Sequence, residues 1–538
     1  MQLRQDERSD TRRLPLAVVC VVFLAVALIS RWRVMGDPII TGVDEQFYVL
    51  VANRMLHGAT LYVDLWDRKP VGLFLIYALG GMFGNVLLGS QILALLVVTA
   101  TATILYNLAR KIASSFASVL AGLIYIVFLP LAGGEGGQAP VFYNLLVVGA
   151  IAWFMRARRR PASAAGDLRI AGAACMLLFG LALQIKYTVV FEGMFLGLAL
   201  LYTAWSRKRP IRALVLDAAI WVACALAPTA AAALYYAAVG HFDDWLFANF
   251  ISIGMRGSEP ARIVTLRLVA LLVLLAPLLG AWILRLVIVR RPTEPIARAD
   301  AWFLDAWTAA AVAAVMLFGT WYGHYALPLF APLAVAAAPL GRLKIGRICL
   351  VLLFAYGAVA GQVLGIVHAQ QRGDARLLTS ATAAVAGQRN CMFIYDGPVS
   401  LYDASGSCLP SSRPFPENLR LLNEHGAVGL DEVAEVRRIM ANRPDRVMLR
   451  DPAAPEDNPA TGAILNQILR RDYIATWRYP VQGRDYVIYS RRDANPPPAA
   501  PAAHREEAKR CRAAVAPPWS EPVRAVTWHL APIMGACI

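Results

Sequence analysis

The stretch "GVDEQFYVLVANRMLHGATLYVDLWDRKPVGLF", Gly42 to Phe74, sets two adjacent carboxylates, Asp44 and Glu45, some twenty residues ahead of an acidic–basic cluster of Asp64, Asp67, Arg68 and Lys69. A carboxylate pair and a cation pair in one segment suit group transfer from a phosphate-bearing lipid to a hydroxyl. The base takes the acceptor proton, and the cations stabilise the departing phosphate. Each residue also has a plainer reading. Asp44 suits an N-cap and Glu45 complements a helix dipole, while Lys69 and Arg68 suit interfacial snorkelling. Pro70 fits the first turn of a helix, which puts Lys69 at its mouth, where a cation meets a lipid phosphate at headgroup level.

The elements that hold these residues are set by composition. The 538-residue chain is 58% hydrophobic and 16% charged, with a mean hydropathy of +0.52, against roughly 25% charged residues in a soluble chain. It reads as an α-helical polytopic membrane protein. The net charge of +16 lies mostly in short basic clusters between apolar runs, a topology signal rather than a nucleic-acid surface. Apolar runs near 14–30, 86–109, 116–131, 141–155, 169–185, 189–205, 213–239, 263–288, 302–320, 325–340 and 347–367 predict about eleven spans. With the N-terminus inside, this count puts Arg110-Lys111, Arg156 to Arg160, Arg207 to Arg209, Arg290-Arg291 and Arg342 to Arg347 inside; Arg31 and Arg33 are the exception. Residues 71–109 are uncharged and long enough, at roughly 58 Å of helix, for two spans. Two would invert the later clusters, so Val71 to Gly84 is expected as a re-entrant or juxtamembrane helix. The segment from Gln46 to His57 has apolar residues at helical spacing, which predicts an amphipathic helix on the membrane surface. The basic N-terminus lacks a small-residue cleavage site, so it is expected to be an uncleaved first span.

From residue 369 the character changes. "CMFIYDG", "DRVMLRD" and "DYVIYS" are strand-like, and "GLDEVAEVRRIMANRP" has helical spacing with an acidic start and a Pro stop. The expected organisation is a membrane domain over 1–368, an extracytoplasmic α/β domain over 369–494, and a disordered Ala/Pro-rich tail over 495–538. Cys391 and Cys408 fall in that outer domain, where a disulfide is compatible with the compartment.

The segment "DEQFYVLVANRMLHGATLYVDLWDRKPVG" resembles the first outer loop of family 39-type glycosyltransferases, a group that includes the protein O-mannosyltransferases and the aminoarabinose transferases of lipid A. The matching residues are Asp44-Glu45, Tyr48, Ala52 to Gly58, Tyr62 and Asp67 to Pro70; Val71 stands where the family usually has a second proline. "LALQIKYTVV" resembles the family's lysine after the fifth span, here Lys186. "WYGHYALPLFAPLAV" resembles its late-span entry, with His324 and Tyr325, and "GGEGGQAPVFYNLL" supplies Glu135 in the second outer loop. The resemblance covers roughly residues 14–368. It implies a GT-C-like bundle in the plasma (inner) membrane, with an extracytoplasmic active site. It also implies a polyprenyl-phosphate sugar donor, an inverting reaction, and a lipid, glycan or protein acceptor. On this chain it implies Asp44 as base with Glu45 assisting, Lys69, with Arg68 and Lys186, at the donor phosphate, and Tyr48, Tyr62, Asp67, Glu135, His324 and Tyr325 lining the site.

Other residues add less. His241, Asp243 and Asp244 have metal-ligating types but no partner spacing; no metal ligand is assigned, although a divalent cation is compatible with the chemistry. A transporter or flippase of lipid-linked sugars predicts ionisable residues near the bilayer midplane and paired repeats, and the sequence shows neither. A non-catalytic polyprenyl-lipid-binding protein would keep the cations and have no need of Asp44.

Overall fold

The computed structural model describes residues 15–160 and 165–494. The expected tail from Asn495 therefore lies outside the described residues. The protein is a polytopic helical bundle with a small C-terminal sheet. Among the described residues nine helices are long and apolar enough to cross a membrane, and three shorter apolar ones span Leu16–Arg31, Val71–Gly81 and Leu168–Leu183. Two of these three match expected spans. Val71–Gly81, at 11 residues, reaches only about 16 Å, roughly half a hydrocarbon core. It turns back at Gly84, whose φ is +85°. The Asn85 side chain then caps the next helix by accepting from Leu88 N–H at 3.0 Å. The two helices meet closely at Gly80 and Gly89, since a Cβ on Gly80 would lie 2.6 Å from Ser90 N.

The helix over Val43–Leu56 departs from expectation. It does not lie on the membrane. Phe47, Tyr48, Leu50, Val51 and Ala52 are fully buried in protein. The opposite, polar face, with Gln46, Asn53 and Arg54, meets the C-terminal domain. Asn53 donates to Asp403 at 2.8 Å, Ser400 donates to Gln46 at 3.2 Å, and Arg54 pairs with Asp403 at 3.1 Å. Asp44 is not the N-cap either. The helix starts after Gly42, whose φ of +99° ends the preceding turn, and Asp44 sits inside the first turn with its carboxylate free to point elsewhere.

Arg31, one of the two exceptions to the charge rule, is 2% exposed. Its guanidinium donates to the carbonyls of Gly134, Glu135 and Gly136 at 2.6–3.0 Å. It is a clamp on that loop rather than a solvated flank. Several other arginines join buried aspartates at the far ends of the helices. Arg158 and Arg159 hold Asp300, Arg169 and Arg209 hold Asp217, and Arg285 and Arg291 hold Asp305.

The C-terminal domain carries a four-stranded sheet in the order β1-β2-β4-β3, with β1 Phe393–Ile394, β2 Arg446–Asp451, β3 Tyr473–Tyr479 and β4 Asp485–Arg491. The β1–β2 pair is parallel and the others antiparallel. The helix read from "GLDEVAEVRRIMANRP" spans Glu432–Ala441 and is capped by Asp431, which accepts from Ala434 N–H at 2.8 Å. A disulfide joins Cys391 to Cys408.

Candidate active site

Three connections converge at one end of the bundle. The first carries Asp44 and Lys69. The Lys69 ammonium lies 3.7 Å from Asp44 and 3.4 Å from Asp67. Asp67 also accepts from the Arg68 and Lys69 backbone N–H groups at 2.5 and 3.1 Å, so one short side chain fixes both the loop and its lysine. Tyr48 presents its ring 5.0 Å from the ammonium, a cation–π contact. Tyr62, at the left-handed φ of +73°, donates to the Lys69 carbonyl at 2.9 Å.

The second connection brings Lys186. Leu73 N–H donates to Gln184 O at 3.1 Å. Gly72 permits this approach, since a Cβ there would lie 2.6 Å from that oxygen. Lys186 then sits 4.7 Å over the Tyr325 ring, and the His324 ring feels Lys186, Asp44 and Lys69. The third connection is the loop over 133–138. Gln138 donates to Asp44 at 3.0 Å, and Gly137 N–H donates to Glu45 at 2.6 Å. Glu135 meets His368 at 3.0 Å.

The electrostatics separate the two adjacent acids. Burial alone would lift the Asp44 carboxyl, but Lys69 above all, with help from Gln138, holds it below the usual carboxylate range. Burial pushes Glu45 up to about 8, with Glu135 adding to the rise against the Gly137 bond. Glu45 is therefore neutral at pH 7 and faces the 135–137 loop rather than Lys69. Burial would lower Lys69, and Asp67 with Asp44 more than reverse it. Lys186, in the 184–186 connection, is lowered by burial and then by Lys69, to about 8.

Asp44, Lys69, Asp67, Tyr48, Lys186, His324 and Tyr325 thus share one cluster, with Tyr62 and Glu45 directly behind it. Arg68 does not join. Its guanidinium turns to the C-terminal domain, pairing with Glu424 at 2.5 Å and donating to Ala427 O at 3.0 Å. The Glu424 anion draws it there, and Arg256 meets the same carboxylate at 2.8 Å. Glu135 lies beyond Glu45, tied to His368.

Sequence reasoning missed four contributors. Gln138 stood in a quoted stretch where only the acid drew notice. Phe415, from the C-terminal domain, places its ring 5.7 Å from Lys69 and 4.9 Å from Phe47. Glu417 beside it is pushed up to about 7 by burial and by Asp44. Asn249 is 1% exposed in a π-helical turn over Phe247–Ile251, a local distortion frequent at functional sites. It accepts from Tyr187 at 2.8 Å and, more weakly, from Tyr62 at 3.4 Å, which links the Lys186 and Lys69 connections. Among the described residues no group of three His, Cys, Asp or Glu is arranged to hold a metal.

No protein-family model matches the sequence, and no curated protein matches it. Solved structures do match. ArnT from Cupriavidus metallidurans, crystallised with undecaprenyl phosphate, aligns at a TM-score of 0.57 and 15% identity over 87% of this chain and 97% of that one. Its apo form aligns at 0.54 and 15% identity over the same shares. The Archaeoglobus fulgidus oligosaccharyltransferase aligns at 0.48 and 11% identity, over 81% of this chain and 69% of that one. At such identities the likeness to ArnT speaks for architecture, and the chain has the GT-C fold.

Proposed function

We propose that the protein is a membrane glycosyltransferase that moves a sugar from a polyprenyl-phosphate donor to a hydroxyl of an extracytoplasmic lipid, glycan or protein. The observation that carries the reading is the cluster of Asp44, Lys69 and Lys186, brought from two separate connections of the chain to one end of a membrane bundle. That arrangement accommodates a substrate whose tail lies in lipid and whose sugar phosphate lies at the headgroup level. The GT-C fold shared with ArnT, a protein crystallised with undecaprenyl phosphate, supports the choice of donor.

In this reading Lys69 and Lys186 bind the donor phosphate as compact point charges. The acceptor oxygen attacks the anomeric carbon from the face opposite the phosphate. The C–O bond to phosphate breaks with its electron pair, the polyprenyl phosphate leaves against the two ammonium groups, and the acceptor proton passes to Asp44. As the phosphate draws Lys69 toward itself, the ion pair that depresses Asp44 weakens and the carboxylate becomes a better base. Neutral Glu45 keeps Gly137 in place, and through that loop Gln138 aims Asp44. Arg68 is assigned to docking of the C-terminal domain.

The test is Asp44→Asn, reconstituted in proteoliposomes with polyprenyl-phosphate sugars and candidate acceptors. The amide still accepts from Gln138, and Lys69 keeps Asp67. Proton transfer by a placed base is worth about 10²–10⁴-fold, so kcat should fall in that range with the fold unchanged. Turnover within a few-fold of wild type would remove Asp44 from the chemistry. Movement of unaltered donor across the bilayer would favour a transporter instead.

A further inference from the structure

A second polar cavity lies at the opposite end of the bundle. The Leu16–Arg31 helix carries Arg31 to the Gly134–Gly136 loop beside Glu45, so its Leu16 end lies at the far membrane face. The Ala139–Ala157 helix likewise runs from Gln138 away to Arg158. Leu16, Tyr106, Arg110, Lys111, Arg159 and Ile296 line a cavity of about 710 Å³ there. Two of the cations in this wall, Arg110 and Lys111, differ from the third, Arg159. Arg158 and Arg159 share Asp300, and other arginines among the described residues are taken up by Asp217 and Asp305. Arg110 and Lys111 have no carboxylate partner and no side-chain hydrogen bond among the described residues. The one acid in the wall, Glu294, is committed to its own helix, where both oxygens accept from the Ile296 and Ala297 N–H groups. Burial and then Arg159, Arg158 and Arg156 lower Lys111, as expected for a cation among cations.

We propose that this cavity is a binding site for the phosphate headgroup of an anionic phospholipid in the leaflet opposite the Asp44–Lys69 cluster. The basic wall supplies two cations, Arg110 and Lys111, that no carboxylate among the described residues holds. The rim supplies Leu16 and Ile296, half-exposed apolar side chains at the membrane flank, along which acyl chains run and for which a soluble anion has no use. Basic pockets between membrane helices recognise lipid headgroups in this manner. The site holds the ends of three helices, beginning at Leu16, ending at Ala109 and beginning at Pro295, so an occupied cavity ties these three ends together.

The experiment compares the full-length protein in nanodiscs of phosphatidylcholine alone and with added phosphatidylglycerol, reading melting temperature and the lipid retained in native mass spectrometry. Phosphatidylglycerol should raise the melting temperature and remain bound. Lys111→Gln should weaken its retention roughly fivefold, and Arg110→Gln with Lys111→Gln about twenty-five-fold. Neither residue has a side-chain hydrogen bond among the described residues, so the variants should keep the fold, which size-exclusion chromatography checks. Lys344→Gln removes an exposed charge at the same end, outside the cavity, and should change retention little. An equal loss in Lys344→Gln would reduce the effect to general surface charge and overturn the proposal. So would equal stabilisation by inorganic phosphate in lipid-free detergent, which would mark a soluble-anion site.

Discussion

Lys186 should make donor binding depend on pH in a window where a sugar phosphodiester does not itself titrate. Burial and the nearby Lys69 hold its pKa at about 8, against an ordinary value of 10.5, with Asp44 opposing. About nine-tenths of the free protein then carries the ammonium near pH 7, and about one-tenth near pH 9. A bound phosphate favours the charged form, so the complex keeps its proton. Apparent donor affinity should fall about tenfold between those two pH values, equivalent to about 1.4 kcal/mol, with kcat little changed. Unfolding does not mimic this loss through Lys186. Its folded-state pKa is depressed, so between 8 and 10.5 the unfolded chain binds more protons, and this group's contribution to stability rises with pH. Glu45 has the opposite sign. Its pKa is raised from 4.5 to about 8, so the folded chain binds more protons across that interval and stability falls as pH climbs through it. Equilibrium binding of a donor analogue to the reconstituted protein, from about pH 6.5 to 9.5, measures the effect. Lys186→Arg, always charged, should flatten the profile; Glu45→Gln should leave it. A wild-type alkaline fall that survives in Lys186→Arg and vanishes in Glu45→Gln would refute the assignment.

Three further outcomes follow from the geometry. Gln138→Leu removes a hydrogen bond to the charged Asp44, so the acid limb of the kcat/KM profile should move to higher pH, with turnover down about tenfold; an unmoved limb would make Gln138 a bystander. Gly72→Ala places a Cβ 2.6 Å from Gln184 O, so the 184–186 connection must retreat, and donor KM should rise several-fold while acceptor KM holds; equal change in both would indicate general disruption. Cys391→Ser with Cys408→Ser opens a loop with a separation of 17 residues, which should cost about 3 kcal/mol of C-terminal-domain stability, read by differential scanning calorimetry; an unchanged transition would show that the domain's sheet suffices.

The sequence made much of this legible, for reasons that can be named. Apolar length and the placement of basic clusters yielded the bundle, and the short helix over Val71–Gly81 was recognised because two spans would have inverted every later cluster. Asp44 and Lys69 stood out by type and spacing. Lys186 came only from a resemblance, since nothing local says that Gln184 packs against Gly72. The helix over Val43–Leu56 was misread because a helical period reveals two faces without saying what covers them: protein covers both. Arg31 broke the charge rule because its guanidinium is buried on carbonyls. Strand β3 escaped notice because Thr476 and Arg478 interrupt its apolar residues, leaving a run of only three, Tyr473 to Ala475. Asn249 has no signature, as a π-helical turn is set by what surrounds it.

The carboxylate of Glu424, shared by Arg68 and Arg256, imposes an order on how the molecule comes into being. Arg68 and Glu424 lie 424 − 68 = 356 residues apart. At about 5–20 residues per second of synthesis, the arginine waits roughly 20–70 seconds for its partner. Throughout that time the Gly42–Phe74 segment lacks the Phe415 ring beside Lys69 and the Ser412 carbonyl that accepts from Trp66 N–H at 2.9 Å. A nascent chain therefore lacks the packing partners of this segment until most of its length has emerged. A chain that stops before residue 427, where Arg68 finds its last carbonyl, leaves the Asp44–Lys69 segment without the full set of C-terminal groups that pack against it.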